Sequence, residues 1–127
     1  MDNDAVLGIF DLDAEIERYA PNDNQSGRRA EILVKVDRLR VVLVTMHAGA
    51  ELQEHTAPGP ITIHTLRGRM TVGSAQGDID LPSGHVISFA EGVRHSVRAA
   101  EAGAFLLTIG YPSARAAAAE ARLPVDE

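Results

Sequence analysis

The middle of the chain alternates apolar and polar residues in short stretches that glycine and proline separate. In residues 30–36, Ile32, Val34 and Val36 share one side, as in a strand with one buried face. Residues 39–47 are apolar on both sides, which is typical of a strand packed on both faces. Further strands are predicted at 61–66, 69–72, 79–81, 86–89, 95–99 and 104–109, with a hairpin turn at Gly68 and connections at 74–78, 82–84 and 100–103. Short strands at about ten-residue spacing indicate a β-sandwich or barrel.

Two helical patterns flank these strands. Residues 11–20 have Asp11 or Asp13 as a helix cap, and Pro21 follows their end. The apolar residues of this stretch recur at helical spacing and are expected to dock it on the barrel: Leu12, Ile16 and Tyr19. Residues 113–122 are rich in alanine and predict a second helix at the surface. The expected fold class is therefore all-β, with short N- and C-terminal helices.

One domain is expected from 127 residues, and composition divides it into three parts. These are an acidic N-terminal segment at 1–26, a barrel region at 27–111 and a helical tail at 112–127. The net charge of −6 lies in the first part, which holds seven of the 18 acidic and one of the 12 basic residues. The remainder is neutral and has no basic stripe, so nucleic acid is not an expected partner.

Composition also excludes several kinds of site. The chain has no cysteine, which rules out disulfides, thiolate metal ligands and cysteine nucleophiles of its own. No apolar run approaches the roughly 18 residues of a membrane span, so no membrane partner is expected. The first ten residues carry acids without lysine or arginine, unlike a signal peptide. We therefore expect a cytoplasmic protein with a mostly aliphatic core.

Two stretches, 49–68 and 84–99, share a spacing of glycine and histidine. The shared positions are Gly49, His55 and Gly68 in the first stretch and Gly84, Gly92 and His95 in the second. This spacing resembles the two motifs of the cupins, specifically the small RmlC-like members. The resemblance covers residues 29–110 and implies a double-stranded β-helix, or jelly-roll barrel, in which the two motifs lie on facing strands.

The family resemblance also implies a metal site, but the ligand set in this chain is incomplete. A second histidine and a glutamate of the first motif fall on Ala57 and Ile61, and an asparagine of the second falls on Ala99. His55 and His95 remain as possible ligands of Fe, Mn, Ni or Zn, and two imidazoles alone hold a divalent metal weakly. Less favoured candidates for a third ligand are His64, His47, Glu51 and Glu54, the two glutamates being expected in a loop.

Strand geometry indicates which residues would line a pocket, because residues two apart on a strand share a face. The predicted inward residues are His55, Ala57, Ile61, Ile63, Thr65, His95 and Val97. His64 faces outward unless a β-bulge at 58–60 reverses the alternation. A histidine in such a place can also be a hydrogen-bonded core residue without a ligand.

These observations favour a small-molecule-binding barrel whose mainly apolar pocket contains His55 and His95, with weak metal binding or none. The alternative is a metal-dependent dioxygenase or isomerase that completes its shell with His64, His47 or a glutamate. A third hypothesis is a purely structural protein whose acidic N-terminal segment engages a partner. The resemblance and the apolar stretches at 39–46 and 61–66 also favour a homodimer formed through an outer sheet face.

Overall fold

A computed structural model describes residues 5–21 and 26–112, which form one short helix and seven antiparallel strands. The elements are α1 (Leu12–Arg18), β1 (Arg28–Val36), β2 (Leu39–Met46), β3 (Glu51–His55), β4 (Ile61–Ser74), β5 (Gly77–Pro82), β6 (Val86–Phe89) and β7 (His95–Gly110). Within these ranges, no helix has the length and apolar character needed to cross a membrane. The all-β jelly-roll prediction is confirmed.

Two long strands, β4 and β7, organise the barrel because each of them belongs to two layers. The first half of β4 pairs with β6 and its second half with β5, while β7 pairs first with β3 and then with β2. β4 and β7 also pair with each other along their lengths. The larger layer therefore has the order β1-β2-β7-β4-β6, and the facing layer has the order β3-β7-β4-β5.

The predicted hairpin turn at Gly68 is wrong, because β4 continues through it. Gly68 has φ +74°, and a Cβ there would collide with the carbonyl oxygen of Ala102 on β7. A Cβ at Gly103 would likewise collide with the carbonyl oxygen of Arg67. The glycines thus let two bent strands cross closely, and a glycine at a bend is indistinguishable in sequence from a glycine in a turn. The predicted connection at 100–103 is wrong for the same reason, since it lies inside β7.

The polar stretch around Glu51 and Glu54 forms strand β3 rather than the expected loop. Its residues ELQEH are mostly exposed and lack a continuous apolar face, so periodicity does not reveal them. Pairing with β7 supplies the missing stabilisation: Glu51 is opposite Arg98, and Leu52 is opposite Val97. Pairing with a segment distant in sequence, rather than local periodicity, therefore makes these residues a strand.

The core lies between the two layers and is mostly aliphatic. Its largest fully buried side chain is Phe105, which is 0% exposed. Twelve buried residues form one cluster there: Val44, Met46, Ala50, Ile61, Ile63, Met70, Val72, Leu81, Val97, Ala99, Phe105 and Leu107. The barrel interior is thus filled by side chains, as in other small barrels.

Helix α1 packs on the outer face of the larger layer. Asp11 is its N-cap, and its carboxylate accepts a hydrogen bond from the backbone N–H of Ala14 at 3.3 Å. Ile16 is buried beside Leu43 and Ala104, with Tyr19 packed against the same cluster. The predicted docking is confirmed for Ile16 and Tyr19, whereas Leu12 is not part of this cluster. The predicted helix at 113–122 lies outside the described residues, and the three-part division of the chain stays a prediction.

Candidate functional site

Most of the predicted pocket residues do face the barrel interior. On β4, Ile61, Ile63 and Thr65 are buried, whereas the intervening Thr62 and His64 are half-buried. On β7, His95 and Val97 are both buried. Ala57 is half-buried, and its carbonyl oxygen accepts a hydrogen bond of 3.1 Å from the N–H of Gly92. The two motifs therefore meet at the end of the barrel where β3 ends and β7 begins.

The two motif histidines contact each other. His55, the last residue of β3, is directly opposite His95, the first residue of β7, in the antiparallel register. Their ring centroids are 4.2 Å apart, with an interplanar angle of 65°. His95 is 2% exposed, whereas His55 is half-buried at the barrel end. The structure thus brings together the two residues that the motif spacing singled out.

Phe89 adds a third ring that sequence analysis did not assign to the site. It is the last residue of β6, and its ring stacks on His95 with centroids 5.4 Å apart and an interplanar angle of 15°. The available signal was alternation along β6, which makes Ile87 and Phe89 the less exposed residues of the strand. Rings from three different strands therefore line one edge of the barrel.

Backbone carbonyls set the tautomer of both imidazoles. Nδ1 of His55 lies 2.8 Å from the carbonyl oxygen of Gln53, and Nδ1 of His95 lies 3.0 Å from that of Val93. A carbonyl oxygen only accepts, so each Nδ1 donates a proton in these bonds. In the neutral rings, Nε2 is then unprotonated. The pair consequently offers two hydrogen-bond acceptors and no donor to anything placed beside it.

Burial keeps His95 neutral near physiological pH. Desolvation lowers the pKa of His95 below its ordinary value of 6.5, an effect partly offset by the hydrogen bond to Val93 and reinforced by nearby His55. Among the described residues, no buried side-chain nitrogen or oxygen lacks a hydrogen-bond partner, and no partner is seen for Nε2 of His95. Nε2 therefore reaches the surface of the site rather than being sealed in the core.

An ion pair closes the rim of this site. Nη1 of Arg94 lies 2.9 Å from Oε1 of Glu54, which joins the residue before β7 to β3 beside the two histidines. Both side chains are mostly exposed, at 74% and 59%. Such a pair contributes little to stability, about 0–1 kcal/mol, and its two charges offset each other. The charged groups of Arg94 and Glu54 are thus paired with each other.

The residues present do not fit the catalytic metal site that the family resemblance implies. His64 is opposite Leu106 of the outer cluster, and His47 is exposed beyond the end of β2. Across residues 5–21 and 26–112, no group of three or more His, Asp or Glu residues is placed to hold a metal ion. A catalytic centre normally uses three protein ligands, and the positions that would supply them carry Ala57 and Ile61. The role of His55 and His95 as metal ligands stays a prediction.

A cavity of about 420 Å³ lies away from the histidine pair, on the outer face of the larger layer. We call it the helix cavity, because residues at the end of α1 form one wall. Its lining comprises Ile16, Glu17, Ala20, Pro21, Thr45, Met46, His47, Arg67, Ala102 and Gly103. The cavity could not be predicted from the sequence, since its walls come from four segments that only the fold brings together.

Solved structures identify the fold. A conserved protein of unknown function from Streptococcus pyogenes is 24% identical with a TM-score of 0.70, covering 84% of this chain and 90% of that one. An RmlC-like cupin from Desulfovibrio desulfuricans is 26% identical with a TM-score of 0.65, covering 72% and 89%. This chain therefore has the fold of the small RmlC-like cupins.

The cupin fold is shared at still lower identity. A cupin-2 domain protein from Shewanella frigidimarina is 14% identical with a TM-score of 0.65, covering 80% of this chain and 94% of its own. No family model matches this cupin, and no curated protein matches it significantly. The fold expected from the glycine and histidine spacing is confirmed.

Proposed function

We propose that this cupin binds a small, uncharged organic molecule at the barrel end formed by His55, His95 and Phe89, with weak metal binding or none. The observation that carries the proposal is the contact between the two imidazoles, each with Nδ1 bound to a backbone carbonyl. Half-buried Ala57 lines the same barrel end in this proposal. The pocket-lining roles of Ile61, Ile63, Thr65 and Val97 stay a prediction, because these side chains are at most 2% exposed in the filled interior.

The hydrogen-bonding character of the site selects the ligand. Two Nε2 acceptors favour a molecule that presents hydroxyl or N–H donors. The lowered pKa of His95 disfavours the imidazolium, so an anion gains no charge partner there near neutral pH. The charges of Arg94 and Glu54 offset each other in their ion pair. A neutral ligand with one or two donors fits these three features.

The remaining surface of the site is apolar and aromatic. Phe89 and the half-buried Ala57 pack against the aliphatic core beside the histidines. Such a site resembles ligand pockets in general, where a few polar groups orient a molecule that apolar groups hold. The metal-dependent alternative has no support from a third ligand among the described residues, and it stays a prediction.

The binding test is a thermal-shift and NMR screen of small alcohols, amides and phenols against the wild type, His55→Ala and His95→Ala. A ligand that binds the folded state raises the melting temperature, and both variants are expected to lose that rise. His85→Ala is the matched control, because Nδ1 of His85 also lies near the carbonyl of the residue two before it, at 3.3 Å, but on an exposed ring. A response retained in both barrel variants would overturn the proposal.

The metal part of the proposal is tested separately by elemental mass spectrometry of protein purified without chelator. Well below one metal ion per chain is expected, because only two neutral nitrogen ligands are available. Near-stoichiometric metal that disappears in both His55→Ala and His95→Ala would overturn it and favour the metal-dependent enzyme.

A homodimer is also part of the proposal. Ile32 on β1 and Val86 on β6 are 54% and 55% exposed, and these strands are the two edges of the larger layer. Analytical ultracentrifugation is expected to give a dimer that Ile32→Glu or Val86→Glu dissociates. A monomeric wild type would contradict this. Location in the cytoplasm stays the prediction made from the sequence.

A further inference from the structure

The helix cavity is a concave site on the outer face of the larger layer. Its floor is formed by the outer face where β2 ends and where β4 and β7 cross, and its roof by Ile16 and the residues that follow α1. Its volume of about 420 Å³ falls within the range of small-molecule sites, roughly 300–1,000 Å³. The site described above uses none of its residues.

Most of the cavity wall is apolar. Ile16, Ala20 and Pro21 contribute apolar surface from the roof, while Ala102 and Gly103 contribute it from the floor. None of these residues has a polar side chain that could form a hydrogen bond with a ligand lying along the wall. A short hydrocarbon chain is therefore the natural match for this part of the wall.

The charged edge of the cavity combines one basic side chain with acidic ones. Arg67 and Glu17 both line it, and Arg67 is also paired with Asp13. The Arg67 guanidinium lies 3.1 Å from the Asp13 carboxylate and 3.9 Å from that of Glu17. One cation therefore faces two anions, of which only Glu17 belongs to the cavity lining.

Glu17 is the carboxylate that remains available. Its 3.9 Å separation from Arg67 exceeds hydrogen-bond distance, whereas Asp13 does accept a bond from Arg67. In the part of the chain that the structure describes, no hydrogen bond uses the Glu17 side chain. Its two oxygens can therefore accept from a cation bound at this edge.

Thr45 carries the only hydroxyl among the described residues that line the cavity. The hydroxyl of Thr45 donates to the Tyr19 carbonyl at 2.6 Å, so this donor of the wall is already used. The wall therefore offers an anionic ligand no free hydroxyl donor, whereas Glu17 offers a cationic ligand an acceptor.

We propose that the helix cavity binds a small organic cation, namely a primary amine on a short apolar chain. Its ammonium group donates to the Glu17 carboxylate, and its chain lies between Ile16 and the floor around Ala102 and Gly103. The proposal does not depend on the function proposed for the barrel end.

Three probes with one chain length and different head groups test the charge preference: hexylamine, hexanol and hexanoate. Titrations followed by ¹H–¹⁵N NMR are expected to show saturable shifts at the amides of Ala20, Ala102 and Gly103. Hexylamine should bind most tightly and hexanoate most weakly. Equal binding of all three probes, tighter binding of hexanoate, or shifts confined to the barrel end around His95 would each overturn the proposal.

Two variants with matched controls test the location. Glu17→Gln is expected to weaken hexylamine binding by about three- to tenfold while leaving hexanol unchanged, since one exposed charge-assisted contact is lost. Glu15→Gln removes the same charge from the same helix outside the cavity and should have little effect. Ala20→Leu should abolish binding of every probe by filling the cavity, whereas Ala14→Leu should not. An unchanged affinity for hexylamine in Glu17→Gln or Ala20→Leu would overturn the assignment.

Discussion

The two faces of the larger layer are packed in different ways. Its inner face belongs to a continuous cluster in which Ile61, Ile63 and Phe105 are at most 2% exposed. Its outer face buries Leu43 and Ala104 under α1, but the helix cavity remains beside them. The facing layer completes the inner side, whereas a helix of seven residues covers only part of the outer side. A sheet closed on itself packs its interior fully, and a short appended helix leaves space.

The largest difference between the two regions is expected from truncating their phenylalanines. Phe105→Ala should lower the free energy of unfolding by about 3–5 kcal/mol, because it opens a void in a filled interior. Phe10→Ala is the matched substitution outside the barrel, where the side chain is 37% exposed, and should cost about 1 kcal/mol or less. Urea denaturation measures both. Similar losses would mean that the interior is not the main source of stability.

The crossing of β4 and β7 joins the two regions, because it shapes the barrel and also forms the cavity floor. Gly68→Ala is expected to cost about 3 kcal/mol or more in unfolding free energy, since the new Cβ collides with the Ala102 carbonyl and φ is +74°. Gly49→Ala provides the control, with φ +85° but nothing within 4 Å of the new Cβ. It should cost only the conformational strain, about 1–2 kcal/mol. Equal costs would show that the close approach adds nothing.

A buried threonine on each face allows a smaller, matched comparison. Thr65 donates to the Leu81 carbonyl at 3.0 Å inside the barrel, and Thr45 donates to the Tyr19 carbonyl at 2.6 Å beneath α1. Thr65→Val should cost about 1–3 kcal/mol in unfolding free energy, because a buried acceptor loses its donor. Thr45→Val should cost about 1 kcal/mol or less, because water can reach the end of α1. Thr45→Val should accelerate hydrogen exchange in α1, whereas Thr65→Val should not. Faster exchange throughout the barrel in Thr45→Val would contradict the separation of the two faces.

The smallest expected effect is a pH dependence confined to the barrel end. Because the folded pKa of His95 lies below 6.5, the unfolded chain binds more protons in the window between the folded pKa and 6.5. Stability from this residue is therefore complete above pH 6.5 and is lost as pH falls through that window, with a slope of at most about 1.4 kcal/mol per pH unit. Urea denaturation at several pH values between about 7.5 and 5, the range in which histidine titrates, measures this pH dependence.

Two histidine variants isolate this contribution. His95→Gln should flatten the pH dependence of stability, whereas His85→Gln, at an exposed ring, should leave it unchanged. If His85→Gln flattened the profile as much, the dependence would not originate at the barrel end.

Much of the fold was predictable because it depends on local pattern. The alternation along 61–65 placed Ile61, Ile63 and Thr65 inside, and the structure confirms it. Spacing also identified Asp11 as one of two possible caps and Ile16 as a docking residue. The errors at Gly68 and at Glu51–His55 share one cause. Each segment takes its conformation from a neighbour distant in sequence, through a close crossing or through strand pairing.

The candidate site was predictable in its residues but not in its geometry. Motif spacing singled out His55 and His95, while their ring contact and the stacking of Phe89 depend on the register among β3, β6 and β7. Nothing local in the sequence indicated that Nδ1 of each histidine would bind a carbonyl and leave Nε2 as an acceptor.

The sequence by itself determined the all-β class, the inward and outward faces of the strands and the two motif histidines, because side-chain direction along a strand follows the local period of two. The tertiary structure alone decided that β4 and β7 run unbroken through two layers and that the imidazoles touch. It alone also placed α1 over the outer face with a cavity beside it. These features arise from contacts between segments far apart in the chain, and such contacts leave no periodicity in the sequence.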